Sequence, residues 1–326
     1  MKTFIVNEIN PMSFSQIKVN RPKAKGRDLL IQVKAVSVGT YDNEMRPTHM
    51  GKTLGFDASG IVAEVGEGVQ DFKVGDEVYY ISDMKRSGTN SEFQIVDERL
   101  VSLKPENLDF SQAATLPLAS IMAFDSLFDK LQIDPEQSRG QTILIIDGTN
   151  SIGAMATQLA SKLTNLTIVT TAGDAKSKVF SKKMGADITI NGSLPIAAQL
   201  KRLGVDKVDY IICASTPNQY IRRLRAIVNE KTRMVSLFTV RDEFFPNDFI
   251  SALPNIEQEF VLVSSSGIID QEDYGNYLRE VTHLVEAGAL IPLVGMDLGK
   301  ISVETLEQGH GLINQKDIIG NISLSF

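Results

Sequence analysis

The chain is predicted to be α/β, with a doubly wound parallel sheet following a β-rich N-terminal region, and three observations predict it. Ile143-Leu-Ile-Ile146 is a continuous apolar run suited to a strand buried on both faces; it breaks at Asp147-Gly148, after which Ile152, Met155, Leu159 and Leu163 recur at helical spacing. Beyond that point β-branched runs alternate with helical stretches, which implies right-handed βαβ crossovers. Before it, the first ~115 residues carry short alternating or β-branched runs separated by glycine and acidic turns, the pattern of a sandwich or barrel.

In chain order, Leu29–Val38, Gly60–Val65 and Glu77–Ile81 are strand candidates, and Asn20–Gly26 is a solvated loop whose positive charges need no partner. A helical stretch from Ser111 to about Leu131 marks the boundary before the Ile143 strand. Strands are then expected at Leu166–Thr170, Ile188–Ile190, Val208–Cys213, Met234–Phe238 and Phe260–Val263, with helices near Ala175–Met184 and Gln219–Val228 between them. Helices near Tyr277–Ala287 and Val303–Leu312 follow. A terminal strand, Ile318–Phe326, is placed to pair back onto the N-terminal region.

The 326 residues suggest about two domains, and 43% hydrophobic with 22% charged residues allows a sizeable core. A net charge of −7 without any Lys/Arg run argues against nucleic-acid and anionic-membrane partners. Cys213, the only cysteine, excludes a disulfide framework and a cysteine-rich zinc site, and it reads as a small core residue. No window approaches the ~18 apolar residues of a membrane span, and the apolar run at Met1–Val6 is too short for a signal peptide. A cytoplasmic protein is expected.

The stretch from Ile143 to Ala160 admits a functional reading. The first N–H groups of a helix that follows a strand and a glycine turn lack partners and carry the positive end of the helix dipole, so they can hold a pyrophosphate. An ordinary βα turn is the alternative. Gly148, Asn150, Ser151, Ile152 and Gly153 are the candidate phosphate-binding residues.

Gly55-Phe-Asp-Ala-Ser-Gly-Ile-Val-Ala-Glu-Val-Gly66 followed by Phe72-Lys-Val-Gly-Asp-Glu-Val78 resembles the medium-chain dehydrogenase/reductase superfamily. The resemblance is strongest to its zinc-free quinone oxidoreductase branch and to bacterial proteins called zinc-type alcohol dehydrogenase-like. Gly88–Phe93, Val96–Arg99, Ala113–Leu118 and Gly185–Asp187 extend it over nearly the whole chain. It implies a GroES-like β-rich substrate domain at 1–117, a Rossmann dinucleotide-binding domain at 118–262, and a C-terminal segment at 263–326 that returns to the first domain.

In zinc-dependent branches a cysteine, a histidine and a third soft ligand sit where this chain has Gly39, Phe56 and Leu118, none of which can bind zinc. His49, His283 and His310 lie in unrelated contexts, so no metal site is expected. Without a metal to polarise a carbonyl, the resemblance implies NADPH-dependent hydride transfer to a quinone or α,β-unsaturated carbonyl, an acceptor that delocalises the incoming charge. Tyr41 is the candidate catalytic donor, with Asp42, Arg46, Phe56 and Tyr80 as candidate substrate-pocket lining; a packed turn residue is the alternative for Tyr41.

Several positions depart from the family pattern. Asn150 and Ser151 stand where glycines are usual, Asp147 adds a charge beside the turn, and Ala119 and Asn321 replace a threonine and a lysine. Thr170-Thr-Ala-Gly173, which includes the candidate cofactor contact Thr171, ends without the carboxylate that would bond an adenosine 2′-hydroxyl, which disfavours NAD. Lys176 and Lys178 are candidates for a 2′-phosphate, or simply a solvated helix face, while Asp174 opposes such a phosphate. The departures keep a second function open: a protein retaining the fold but acting as a nucleotide sensor or binding protein. Glu259–Ser264 is apolar and β-favouring at an expected sheet edge, which predicts a homodimer.

Overall fold

The computed structural model describes residues 1–83, 85–214, 220–238, 251–253, 256–262, 274–315 and 318–326. The chain divides into two units, residues 1–121 with 264–326, and residues 122–263.

The first unit begins with β1 (Lys2–Val6), β2 (Phe14–Lys18), β3 (Asp28–Val38), α1 (Thr40–Met45), β4 (Asp57–Val65), β5 (Glu77–Ile81), β6 (Phe93–Asp97), β7 (Val101–Leu103), α2 (Phe110–Ala113) and the first residues of α3 (Pro117–Phe124). β1 and β2 form an antiparallel pair. The 11-residue β3 is the spine of the unit: it pairs antiparallel with β4 and β6, and nearly all of its side chains are buried, Gln32 being exposed. At the β3–β4 crossing a Cβ on Gly60 would lie 2.3 Å from the Gln32 carbonyl oxygen, so the two strands approach this closely only with glycine there.

The expected helix from Ser111 to Leu131 is broken into pieces. α2 is capped by Asp109, whose carboxylate accepts the Gln112 N–H at 2.7 Å, and it stops at Ala113 because Pro117 opens a new helix. That second helix continues as a wider, π-type turn over Asp125–Lys130.

The second unit contains β8 (Thr142–Ile146), α4 (Ser151–Leu163), β9 (Thr167–Thr171), α5 (Ala175–Lys183), β10 (Ile188–Ile190), α6 (Ile196–Arg202), β11 (Tyr210–Cys213), α7 (Ile221–Leu224), β12 (Arg233–Phe238) and β13 (Glu257–Leu262). The strands form one parallel sheet in the order β10-β9-β8-β11-β12-β13, so the winding reverses between β8 and β11 and β13 lies at an edge. Such a doubly wound order binds ligands in the crevice beyond the strand ends at the reversal. Leu144, Ile146, Val169, Ile211, Cys213 and Met234 fill one core, and Cys213 is fully buried within it. The helix expected over Gln219–Val228 is shorter than its pattern: after Leu224 the chain turns so that the Ile227 carbonyl accepts the Val208 N–H at 3.0 Å, and Gln219 lies outside the described residues.

The chain closes with α8 (Tyr274–Glu286), β14 (Val294–Lys300), α9 (Val303–Asn314) and β15 (Asn321–Ser325), all in the first unit. β15 pairs antiparallel with β3, Ile322 opposite Val38, and parallel with β14. Among the described residues no helix is long and apolar enough to cross a membrane.

Candidate functional site

In the second unit the turn after β8 is held from both sides. Asp147 adopts a left-handed backbone at φ 58°, and its N–H donates to Thr171 Oγ1 at 2.8 Å. A Cβ on Gly153 would lie 2.4 Å from the Asp147 carbonyl oxygen, so α4 rests directly on the turn because that residue has no side chain. Asn150 is the cap of α4: its Oδ1 accepts the Gly153 N–H at 2.7 Å and its Nδ2 donates to the Ala214 carbonyl at 2.6 Å. One side chain therefore bridges the ends of β8 and β11, where the winding reverses. Among the described residues the N–H groups of Ser151 and Ile152 remain without acceptors at the start of this 13-residue helix.

The other candidate cofactor residues separate by exposure. Thr171 is buried and engaged by the turn, whereas Lys176 and Lys178 are exposed on α5. Asp174 caps α5 by accepting the Ser177 N–H at 2.7 Å, and hydrogen bonding to Ser177 holds its carboxyl below the usual range. Tyr220, which sequence reasoning did not single out, donates its hydroxyl to Asp147 Oδ1 at 3.3 Å. Burial, with the Asp147 charge second, pushes its hydroxyl up to about 12. Nothing in the local pattern at Tyr220 marks this contact, which joins residues 73 positions apart.

In the first unit, α1 and the start of β4 bring Tyr41, Asp42 and Phe56 together. The Tyr41 and Phe56 rings lie 4.8 Å apart, and His49 meets the Phe56 ring edge-on at 5.9 Å. Burial and the neighbouring Asp42 and Glu44 charges raise the Tyr41 hydroxyl far above its usual range, so it stays protonated and can donate. Arg46 is buried, with its Nε donating to the Asn43 carbonyl at 3.4 Å. Tyr80 sits in the strand core of the unit, fully buried, with its hydroxyl donating to Gln94 Oε1 at 2.8 Å.

Two buried carboxylates organise this region. Asp42 accepts the Gly39 N–H at 2.9 Å; Asp57 accepts the Leu118 N–H at 2.8 Å and the Ser37 hydroxyl at 3.2 Å. The backbones of Gly39 and Leu118, two of the positions to which the family resemblance assigns metal ligands, are thus tied to two acids. Burial raises Asp42 to about 7 against the pull of its backbone donors. Asp57 is raised well above the carboxylate range, first by burial and then by the Asp42 charge, so the pair retains a proton near neutrality. Asp57 was not among the sequence candidates, because an aspartate at the start of a strand carries no sign of its own burial.

His310 and Asn321 complete the surroundings. His310 on α9 is fully buried, with Nδ1 3.3 Å from Asn43 Oδ1 and its ring 5.0 Å from Phe14, and Nε2 finds no partner among the described residues. Burial, with the Arg46 charge second, pulls it down to about 3. Asn321 Oδ1 lies 3.0 Å from where a Gly39 Cβ would stand, and its Nδ2 donates to the Thr115 carbonyl at 3.4 Å.

The chain is similar to known proteins over nearly its whole length. Residues 25–106 match the model of the alcohol dehydrogenase GroES-like domain. A zinc-type alcohol dehydrogenase-like protein from Staphylococcus epidermidis is 29% identical over 321 residues, covering 96% of this chain and 94% of that protein. The crystal structure of a candidate zinc-dependent alcohol dehydrogenase from Rhizobium etli superposes with a TM-score of 0.92 at 31% identity, covering 100% of this chain and 98% of that one. A chloroplastic NADPH-dependent alkenal/one oxidoreductase from Arabidopsis thaliana is 30% identical over 206 residues, 59% of this chain and 52% of that protein.

Proposed function

From the premise that the chain belongs to the medium-chain dehydrogenase/reductase superfamily, we propose that it is a zinc-independent oxidoreductase in which bound NADPH supplies hydride to a quinone or α,β-unsaturated carbonyl. The observation that carries the zinc-independent part is the content of the three ligand positions: Gly39, Phe56 and Leu118 offer no side-chain donor atom. The similarity to the alkenal/one oxidoreductase supports the acceptor class and the choice of NADPH.

The residues of the turn fit a dinucleotide. The Ser151 and Ile152 N–H groups are open to a pyrophosphate at the positive end of α4, and Lys176 and Lys178 are exposed on the helix that follows β9. At the substrate end, Tyr41 donates its O–H to the acceptor's oxygen, with Asp42, Arg46 and Phe56 shaping its surroundings. The proton retained by Asp42 and Asp57 keeps a second full negative charge out of this buried region. The protein works as a cytoplasmic homodimer joined through β13.

One observation favours a second reading, a nucleotide sensor with little turnover: the Asn150 side chain already occupies the Gly153 N–H, a donor that a glycine would leave open. Titration with NADPH and NADH, followed by turnover assays with quinones and enones with and without a chelator, separates the two. Tight NADPH binding with chelator-resistant turnover supports the reductase. Binding without turnover supports the sensor, and chelator-sensitive turnover with one zinc per chain overturns the zinc-independent reading.

A further inference from the structure

We propose that the first unit carries a second ligand site, for a small organic anion with a flat apolar body, in a cavity of about 310 Å³ lined by β1, β2, β3 and the ends of β6 and β14. It shares no lining residue with the Tyr41 region.

The strand register builds this cavity from two matching pairs. Phe4 on β1 stands directly opposite Gln16 on β2, and Phe93 on β6 directly opposite Gln32 on β3. Directly opposed residues share a face of the sheet, so each pair sets a phenyl ring beside a primary amide. A lysine lies two residues from each pair on the same face, Lys2 before Phe4 and Lys34 after Gln32, and Lys300 at the end of β14 adds a third ammonium. Phe326 meets Phe4 with ring centroids 6.3 Å apart and widens the apolar floor.

The polar groups here are unspent. None of Lys2, Lys34 and Lys300 forms an ion pair among the described residues, and the Gln16 and Gln32 amides form no hydrogen bond among them. Glu92, also in the lining, accepts the backbone N–H of Lys2 at 2.6 Å. Arg21 lies over Phe93 at 4.1 Å from its centroid and brings a further cation to the rim. In a chain with 40 acidic and 33 basic residues, three lysines gathered around one cavity run against the overall balance. Gln32 is the exposed residue on a mostly buried strand, with Lys34 half-buried beside it, and this cavity is what both line.

Small-molecule sites are concave with a few convergent polar groups; this volume is at the small end of the usual range, and the lining is more polar than is usual, which suits a charged ligand. One- or two-ring aryl carboxylates, sulfonates or phosphates match it: the rings contact Phe4, Phe93 and Phe326, the anion meets the ammonium groups, and the amides orient it.

The test uses the full-length protein and isothermal titration with 2-naphthoate, with the uncharged 2-naphthylmethanol as the matched control. One 2-naphthoate per chain is expected, with the alcohol at least about tenfold weaker, since a hydrogen bond to a charged group is lost. A Lys34→Glu/Lys300→Glu variant should lose at least about tenfold in affinity, and Gln32→Trp, which fills the cavity, should abolish binding, both with unchanged melting temperature and reductase activity. Absence of saturable binding up to about 5 mM, or binding undiminished in both variants, overturns the proposal. So does displacement of 2-naphthoate by NADPH, which would place it in the cofactor crevice.

Discussion

Asn150 donates through Nδ2 to the carbonyl oxygen of Ala214 at 2.6 Å, joining the turn after β8 to the end of β11 across the point where the sheet reverses its winding. The same side chain satisfies the Gly153 N–H at 2.7 Å. Replacing Asn150 by glycine frees that N–H for a phosphate oxygen, and a hydrogen bond to a charged group contributes about 1.5–3 kcal/mol. Loss of the cap costs only a few tenths of a kcal/mol when glycine is the replacement. Asn150→Gly is therefore expected to tighten NADPH binding by about tenfold or more, measured by fluorescence or calorimetric titration. Unchanged or weaker binding would show that the Asn150 amide itself serves the ligand.

Lys176 and Lys178 offer a second handle on the cofactor. Both are exposed, so the contact with a 2′-phosphate is partly screened, and alanine at the residue that makes it should weaken NADPH by about threefold to tenfold. NADH affinity should stay the same. Equal losses for both nucleotides would point to a general effect on α5 and not to 2′-phosphate recognition.

Tyr41→Phe keeps the ring packed on Phe56 at 4.8 Å and removes only the hydroxyl. If that hydroxyl donates to the acceptor's oxygen, kcat should fall by about 10²-fold with little change in melting temperature. An unchanged kcat would return Tyr41 to a packing role.

The buried acids and His310 act on stability in opposite directions with pH. Asp42 is raised from 3.8 to about 7 in the folded chain, so the native state binds more protons than the unfolded chain between those values, and stability falls as pH rises through that window. Asp57, raised by the same burial, adds to this loss. His310 is lowered from 6.5 to about 3, so the unfolded chain binds more protons there and stability falls as pH drops through that window. The two windows overlap, so in the wild type the Asp42 and His310 contributions offset each other and Asp57 leaves a net fall in stability as pH rises. Relative to the wild type, Asp42→Asn should gain stability as pH rises through its window and His310→Leu should gain stability as pH falls through its own, each by on the order of 1–3 kcal/mol. A slope unchanged in either variant would remove that residue from the account.

Among the described residues β13 is the last strand at one edge of the parallel sheet, and Val261 on it is half-buried. Val263 and Ser264, which belong to the same apolar stretch, lie outside the described residues. Light scattering at micromolar concentration is expected to report twice the chain mass, and Val261→Lys to give a folded monomer. A wild-type monomer would count against pairing through this edge.

What the sequence determined by itself is what local periodicity and residue chemistry can express. The apolar run at Ile143–Ile146 and the helical spacing from Ile152 specify a strand, a turn and a helix within one stretch of chain, and the alternation beyond them specifies a parallel sheet. The side chains at Gly39, Phe56 and Leu118 lack donor atoms whatever the fold. Tertiary structure decided the rest, because it depends on groups that only folding brings together. Leu118 reaches Asp57 across 61 residues, Asn150 reaches Ala214 across 64, and His310 reaches Asn43 across 267. Burial then sets the charge state: an aspartate and a histidine are ordinary titrating groups in the sequence, and it is the removal of water around Asp42, Asp57 and His310 that keeps the acids protonated toward neutrality and the imidazole neutral.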